Sequence, residues 1–267
     1  MGTKRETDRW RNRRDAYRPA GEPIRTAMYE VARIPGDKEA RAFVERHHYS
    51  GSYPAARARF GLHRGSELVG VAVLSQPASQ AALDKALPYP GANRAELGRF
   101  VLLDDVPANG ESWFLARAFE LARADGFDAV VAHSDPEPRT VQGRTLFAGH
   151  VGTIYQATNA VYRGKTNAAS LRILLDGTIL SPRALSKVRA KDKGWKYVVE
   201  NLVARGAPEP SGDWDEWVTL AVRHVSRRFR HPGNHRYVWA LDRALRKLLP
   251  RPMPYPKGLR MVVPERP

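Results

Sequence analysis

The sequence predicts an α/β fold: a mixed β-sheet flanked by helices, antiparallel in its first strands and parallel in its middle, followed by a basic C-terminal extension. Three observations carry that expectation. Residues 94–164 read strand–helix–strand–helix–strand, and parallel neighbours require a crossover of that kind. Upstream, "GSYPAARARFGLHRG" and "ELVGVAVLSQP" are strand-like runs separated only by Arg64–Gly65–Ser66, a turn that permits antiparallel pairing alone. The charge, finally, is unevenly spread. Of the 44 Lys and Arg and 28 Asp and Glu in 267 residues, positions 1–25 hold 8 and 4, positions 26–182 hold 17 and 16, and positions 183–267 hold 19 and 8. Composition therefore divides the chain into a basic arm (1–25), a nearly neutral core (26–182) and a strongly basic extension (183–267).

The elements follow in order. "AMYEVARI" (27–34) alternates and reads as a strand. Asp37 can cap a helix over "GDKEARAFVERHHYS", where Ala40, Phe43, Val44 and His47 recur at helical spacing. The two strands and their turn come next. "ASQAALDKALPYPGAN" is a loop or short helix ended by Pro88 and Pro90. "RAELGRFVLLDDVP" (94–107) is a strong strand. "ANGESWFLARAFELARADG" is the clearest helix: Asn109 or Ser112 starts it, Phe114, Leu115, Ala118, Phe119, Leu121 and Ala122 form its apolar side, and Gly126 closes it. "FDAVVAHSDP" is a short apolar strand that runs out into polar residues. "GHVGTIYQATNAVYRG" (149–164) supplies a helix and then a strand. Past Ser181 the chain is helix-like and charged, and "HRYVWALDRALRKLLPRPMPYPKGLR" is a strand or helix with a Pro-rich tail.

Composition also excludes. With no cysteine there is no disulfide, no cysteine-bound zinc and no thiol nucleophile. No apolar run approaches the roughly 18–20 residues of a membrane span, and the first residues lack the apolar segment of a secretory signal. A net charge of +16, concentrated at the C-terminal third, points to a polyanion partner, DNA or RNA. A general use of Arg for Lys would explain the residue choice but not the concentration.

Five features carry chemistry. In "LGRFVLLDDVPANGESWFLARA" a strand leads through a Gly-containing turn into a helix N-terminus, whose free N–H groups and dipole favour an anion. Gly110 allows close approach and Ser112 adds a hydroxyl, although neither GxGxxG nor a Walker motif is present. His133, Ser134 and Asp135 lie where a buried strand ends, the place where α/β sheets gather ligands. His47, His48, His133, Asp135 and His150 offer the side chains of a 2-His-1-carboxylate metal site. Arg99 is a charge inside an apolar strand, so it faces a pocket, a partner or solvent, and Glu96 is its nearest candidate partner. In "GHVGTIYQATNAVYRG", helical spacing puts Val151, Tyr155 and Thr158 on one side and Gly152, Gln156 and Asn159 on the adjacent one.

Taken together and in this order, "HHYS", "AELGRFVL", "AHSDP", "GHVGTIYQATNAVYRG", "HRYVWALDRALRKLL" and "PYPKGLR" resemble the Mom proteins of bacteriophages. The resemblance spans roughly residues 28–260, and "GHxGxxYQAxN" is its most specific part. It departs from the family in the full loop "EPRTVQGRTLFAG" and in Ala160, where an aromatic is common. The resemblance implies a GNAT-like acyltransferase core and a substrate that is adenine in double-stranded DNA. There N6 gains a carbamoylmethyl-type group that protects phage DNA from restriction in the host cytoplasm. It implies catalytic positions at Tyr155, Asp135, Arg99 and Tyr49. It implies acetyl-CoA or another acyl-CoA, admitted between splayed parallel strands at 96–103 and 128–134. Phe100, Val101, Leu102 and Asn159 would line that cofactor, and the turn Asn109–Ser112, with Gly110, would hold its pyrophosphate. An iron requirement attaches to the family, with His48, His133 and His150 as candidate Fe2+ ligands. Oligomeric state stays open between monomer and dimer, and no membrane is involved.

In these roles, Asp135 is the candidate base or contact to the base edge. Arg99 clamps an anion or the substrate, Tyr155 protonates a departing thiolate, and Tyr49 stacks on an extruded base or hydrogen-bonds to it. The extension 183–267 packs on the core and contacts phosphates. Two other readings keep parts of this: a GNAT acyltransferase acting on an amine of a hypermodified base, a polyamine or a protein, and a non-enzymatic DNA-binding protein.

Overall fold

The computed structural model describes residues 23–77, 80–89, 91–107, 109–141 and 144–257; of 82, 141 and 144–146 it describes the backbone alone. The arm expected over residues 1–25 lies outside these except for its last three positions. In chain order the elements are β1 (Tyr29–Arg33), α1 (Asp37–His47), β2 (Ala56–Arg64), β3 (Glu67–Ser75), α2 (Gln80–Ala86), β4 (Arg94–Leu102), α3 (Gly110–Ala124) and β5 (Ala129–Ser134). Then come β6 (Arg139–Val141), β7 (Arg144–Phe147), α4 (Thr153–Ala157), β8 (Val161–Lys165), β9 (Ala169–Leu174) and β10 (Ile179–Leu180). The last are α5 (Pro182–Ala190), α6 (Trp195–Val203), α7 (Trp214–Val225), β11 (Ser226–His231), β12 (His235–Ala240) and α8 (Arg243–Leu248).

Contacts group the chain into two units: one of 1–136, 148–166 and 234–267, the other of 137–147 and 167–233. The first holds a seven-stranded mixed sheet in the order β1-β2-β3-β4-β5-β12-β8, flanked by helices. Among the described residues only β4 and β5 pair in parallel, as the crossover through α3 requires. The expected parallel run did not extend to a third neighbour. β12, from the far end of the chain, lies between β5 and β8 and is antiparallel to both. "HRYVWALDRALRKLL" is therefore a strand and a helix within the sheet unit, and the basic segment past residue 183 is divided between the two units.

Alternation along the strands makes two apolar faces. Phe60, Leu62, Ala72, Leu74, Ala95, Leu97, Val130, Ala132, Tyr237 and Trp239 pack against Phe114, Leu115, Ala118 and Ala122 of α3. On the opposite face, Val71, Val73 and Val101 meet Ala40 and Val44 of α1, while Val131 and Val238 lie with Leu83 of α2 and Leu245 of α8. Sequence-level capping needs two corrections. Gly36 stands at the start of α1, and the Asp37 carboxylate accepts from Arg59 and Tyr53 instead. Asn109 stands at the start of α3, yet its Oδ1 accepts from the Ile24 N–H at 2.7 Å.

In the second unit α5, α6 and α7 close on a core containing Val188, Leu202, Trp217, Val218 and Val222. Trp214 stacks on Trp217 at 5.0 Å and meets Trp195 edge-on at 5.1 Å. A three-stranded sheet, β10-β9-β11, and the hairpin β6–β7 complete it. That hairpin is the loop "EPRTVQGRTLFAG". No helix among the described residues is long and apolar enough to cross a membrane.

Candidate functional site

The site begins where the two parallel strands part. β4 and β5 are paired only from Arg94↔Ala129 to Glu96↔Val131. Beyond that point no ladder joins residues 97–102 to β5, although β4 continues against β3. A one-sided strand edge inside a sheet leaves backbone N–H and C=O groups open to an amide-bearing ligand. The side chains there are committed: Phe100 packs on Phe114 with ring centroids 5.6 Å apart, and Val101 and Leu102 are buried in opposite faces of the core. A ligand in the opening would thus read the backbone of Phe100–Leu102 rather than their side chains.

A β-bulge sets which side chains face the opening. Register shifts between Val73↔Arg99 and Leu74↔Leu97, so Gly98 is the extra residue. A Cβ at Gly98 would lie 2.4 Å from Ser75 Oγ. The bulge turns Arg99 onto the α1 face, beside Val73 and Val101, where an unbroken strand would have aimed it at α3. Its guanidinium then donates to Ser52 O and Ser52 Oγ, both at 2.8 Å, and to Gly98 O at 2.6 Å. Arg99 thus pins the loop after α1, which carries His48 and Tyr49. Burial pulls the Arg99 pKa below its usual range, opposed by Tyr49 and Glu96. Glu96 is not its hydrogen-bonded partner: Glu96 Oε1 meets His133 Nδ1 at 2.8 Å, across the mouth of the strand opening.

Tyr155 approaches from the α3 face. Its helix, α4, is one turn long because residues at both ends are left-handed: Gly152 at φ 75° and Asn159 at φ 59°. Gly152 O accepts from Tyr155 N and Gln156 N, and Tyr155 O accepts from Ala160 N. The Tyr155 ring meets Tyr237 and Trp239 of β12, each at 5.4 Å, and His150 at 6.3 Å. Its hydroxyl makes no hydrogen bond among the described residues, and burial raises its pKa, with Tyr49, Glu96 and Tyr237 adding to the effect. Tyr237 is wholly buried, donates to Val151 O and accepts from Gln156 Nε2 at 3.2 Å; burial pushes its pKa up to about 12. The tail backs this layer: Gln156 Nε2 reaches Pro256 O, and Tyr255 donates to Ala160 O.

The expected residues therefore separate into groups. His48, Tyr49, Arg99, His150 and Tyr155 interact electrostatically with one another or with Glu96 around the opening. Asp135 lies at the end of β5, and its carbonyl accepts the His150 N–H at 2.7 Å. Asn159 is exposed and serves to end α4. At the start of α3, Gly110 fits against Val106, which a Cβ would meet at 2.5 Å, and Ser112 Oγ donates to Asn109 O. Sequence reasoning missed Tyr237 altogether and misassigned Glu96.

The metal expectation is corrected. No group of three His, Asp or Glu among the described residues could hold an ion. His48 Nδ1 accepts from Ser50 N, which leaves the proton on Nε2 and no free lone pair. His133 Nδ1 is held by Glu96, and its ring belongs to no group of three possible ligands among the described residues. Burial, then the Arg99 and His150 charges, pulls the His48 pKa down to about 3. The ring is therefore neutral in the folded protein but takes up a proton near pH 6.5 when unfolded. Stability from this group is full above that pH and falls by about 1.4 kcal/mol per unit between about pH 6.5 and 3. Urea midpoints across that window should fall more steeply for the intact protein than for His48→Gln; equal slopes would contradict the assignment.

The model of the Mom protein family matches residues 28–257. No curated protein matches significantly. Among solved structures, a tandem GNAT protein from the clavulanic acid biosynthesis pathway, without acetyl-CoA, is similar at 12% identity and a TM-score of 0.42, over 80% of this chain and 99% of that one. An acetyltransferase of Bacillus subtilis in complex with CoA is similar at 10% identity and a TM-score of 0.33, over 79% and 97%.

Proposed function

The chain belongs to the Mom protein family, and from that premise we propose that it is a phage DNA-modifying transferase. It converts adenine in double-stranded DNA to an N6-modified, carbamoylmethyl-type adenine and so shields the DNA from restriction. The observation that carries the reading is the parting of β4 from β5 beyond Glu96↔Val131, with Tyr155 at one side of the opening and Arg99 and Tyr49 at the other.

The chemistry of that opening suits an acyl-CoA. The unpaired backbone edge of Phe100–Leu102 would hold its amides, and the first turn of α3 at Glu111–Ser112 its phosphates, since the buried Gly110 N–H already donates to Pro107 O at 2.8 Å. The acyl-CoA would supply an acyl carbon activated as a thioester; that transfer alone gives an N6-acyladenine, and a carbamoylmethyl-type product requires a nitrogen donor and a further step beyond it. The protein's own part is to bring acceptor and donor together and to move protons. The exocyclic amine of adenine is a poor nucleophile, since its lone pair is drawn into the ring, and it is stacked in the duplex. Extruding the base costs a few kcal/mol, least where stacking is weak. Tyr49, on the loop pinned by Arg99, is placed to stack on that base. Tyr155, kept protonated by burial, donates to the leaving sulfur. Asp135 contacts the base edge. No three His, Asp or Glu side chains among the described residues form a group that could hold Fe2+.

Affinity for DNA would come from phosphate contacts. On β11, Arg227, Arg228 and Arg230 are exposed, and Arg228 stands directly opposite Arg172 of β9. Like charges opposed across a ladder destabilise a sheet, and none of the three β11 arginines has an ion-pair partner among the described residues. A polyanion would relieve that repulsion. Arg228→Ala with Arg230→Ala should weaken double-stranded DNA binding. The slope of log affinity against log salt should flatten by about 0.9 for each phosphate no longer neutralised. An unchanged slope would remove this face from the interface.

The proposal is tested by restriction. Plasmid from cells expressing the protein should resist enzymes whose sites contain adenine and stay sensitive to those whose sites lack adenine and thymine. Protection that persists in naked, deproteinised DNA excludes a steric blocker; full sensitivity sinks the proposal.

A further inference from the structure

We propose that His133 is the general base of this site and that Glu96 is the residue that positions it; the proposal rests on the transferase reading above. The two side chains come from strands 37 residues apart in sequence and meet at Nδ1···Oε1 2.8 Å. They are only 15% and 20% exposed, so this is not a solvated surface pair. A carboxylate only accepts hydrogen bonds, so Nδ1 carries the proton and Nε2 presents a lone pair. That Nε2 is buried and has no hydrogen-bond partner among the described residues. Buried polar atoms are nearly always satisfied, and an exception asks for a function.

Position supports the role. Glu96 is the last β4 residue paired with β5, and His133 lies two residues beyond its partner Val131. Both point to the sheet face opposite α3, since Ala95, Val130 and Ala132 take the α3 face. The dyad therefore spans the mouth of the strand opening, with Tyr155 reaching it from the other face. A structural strap between strands would need the Nδ1 contact alone. It would not need a bare, buried Nε2.

The chemistry balances. In the acyl-transfer step the bond from the acceptor nitrogen to the acyl carbon would form as the C–S bond breaks, giving an N-acyl product and a free thiol. Nε2 takes the proton that the acceptor nitrogen must lose, and the Glu96 carboxylate stabilises the imidazolium. Tyr155 gives its proton to the sulfur, and solvent exchange returns the His133 proton to Tyr155. This places the base two residues before Asp135, on a ring that Glu96 already orients.

The first test needs neither DNA nor donor. Nitrogen-15 NMR of histidine-labelled protein should show His133 with Nδ1 protonated and Nε2 bare, and Glu96→Ala should give a mixture of tautomers. A protonated Nε2 in the intact protein overturns the proposal. In turnover on duplex DNA, His133→Ala should lose about 10²–10⁴-fold in kcat at unchanged DNA affinity, and added imidazole should restore part of the rate. Turnover within threefold of the intact protein, or a loss that imidazole does not restore, overturns the base role. If the intact protein yields no modified nucleoside, the transferase reading fails, and the tautomer result still decides the dyad.

Discussion

Tyr155→Phe is expected to lower turnover by about 10²–10⁴-fold, the range of a lost acid–base group, and to leave the fold intact. The ring makes the packing contacts: edge-on geometry against Tyr237 and Trp239 at 5.4 Å each survives in phenylalanine. No described residue bonds the hydroxyl, so its removal orphans no partner, and stability should change by no more than about 0.5 kcal/mol. The raised pKa keeps the hydroxyl protonated throughout the neutral range, so the loss should be independent of pH there. A variant that is both folded and active would move the proton donor elsewhere. One that unfolds would make Tyr155 a core residue and no more.

The second large effect belongs to a residue without a side chain. Gly152→Ala is expected to destabilise the protein by about 2–5 kcal/mol and to disable the site. Two costs add. At φ 75° the backbone is left-handed, worth about 1–2 kcal/mol against alanine. A Cβ would also lie 2.6 Å from Tyr155 Cδ2 and 2.9 Å from Tyr237 Cε2, an overpacking worth about 1–3 kcal/mol. Neither ring has room to retreat, since Tyr237 is fully enclosed and Tyr155 is wedged among Tyr237, Trp239 and His150. Gly65→Ala is the control: it shares a left-handed backbone at φ 59° but meets nothing within 4 Å. It should cost the backbone share alone. Equal losses at the two positions would show that Gly152 is needed for its turn and not for the space it leaves.

What could be read from the sequence was what local pattern encodes. The β2–β3 turn, the β4–α3–β5 crossover and the helix bearing Tyr155 each sit where periodicity, turn residues and glycines put them. The position of β12 could not be read, because it is a pairing across some hundred residues with no local signature. With it went Tyr237 and Trp239, the rings against which Tyr155 is set. Glu96 was assigned to Arg99 because the two are near in sequence. The bulge at Gly98 and the parallel register at Glu96↔Val131 send the first to His133 and the second to Ser52. The histidines were recognisable as ligand types, but His48 Nδ1 is taken by the Ser50 N–H and no three His, Asp or Glu side chains among the described residues form a group that could hold an ion.

On the proposed function, this protein alters adenine through the opening beside Tyr155. Nucleoside mass spectrometry of plasmid DNA from cells expressing the protein tests it most directly, with Tyr155→Phe in parallel. The account predicts a mass-shifted deoxyadenosine with the intact protein and its loss with the variant. Unchanged nucleosides with the intact, folded protein would contradict it.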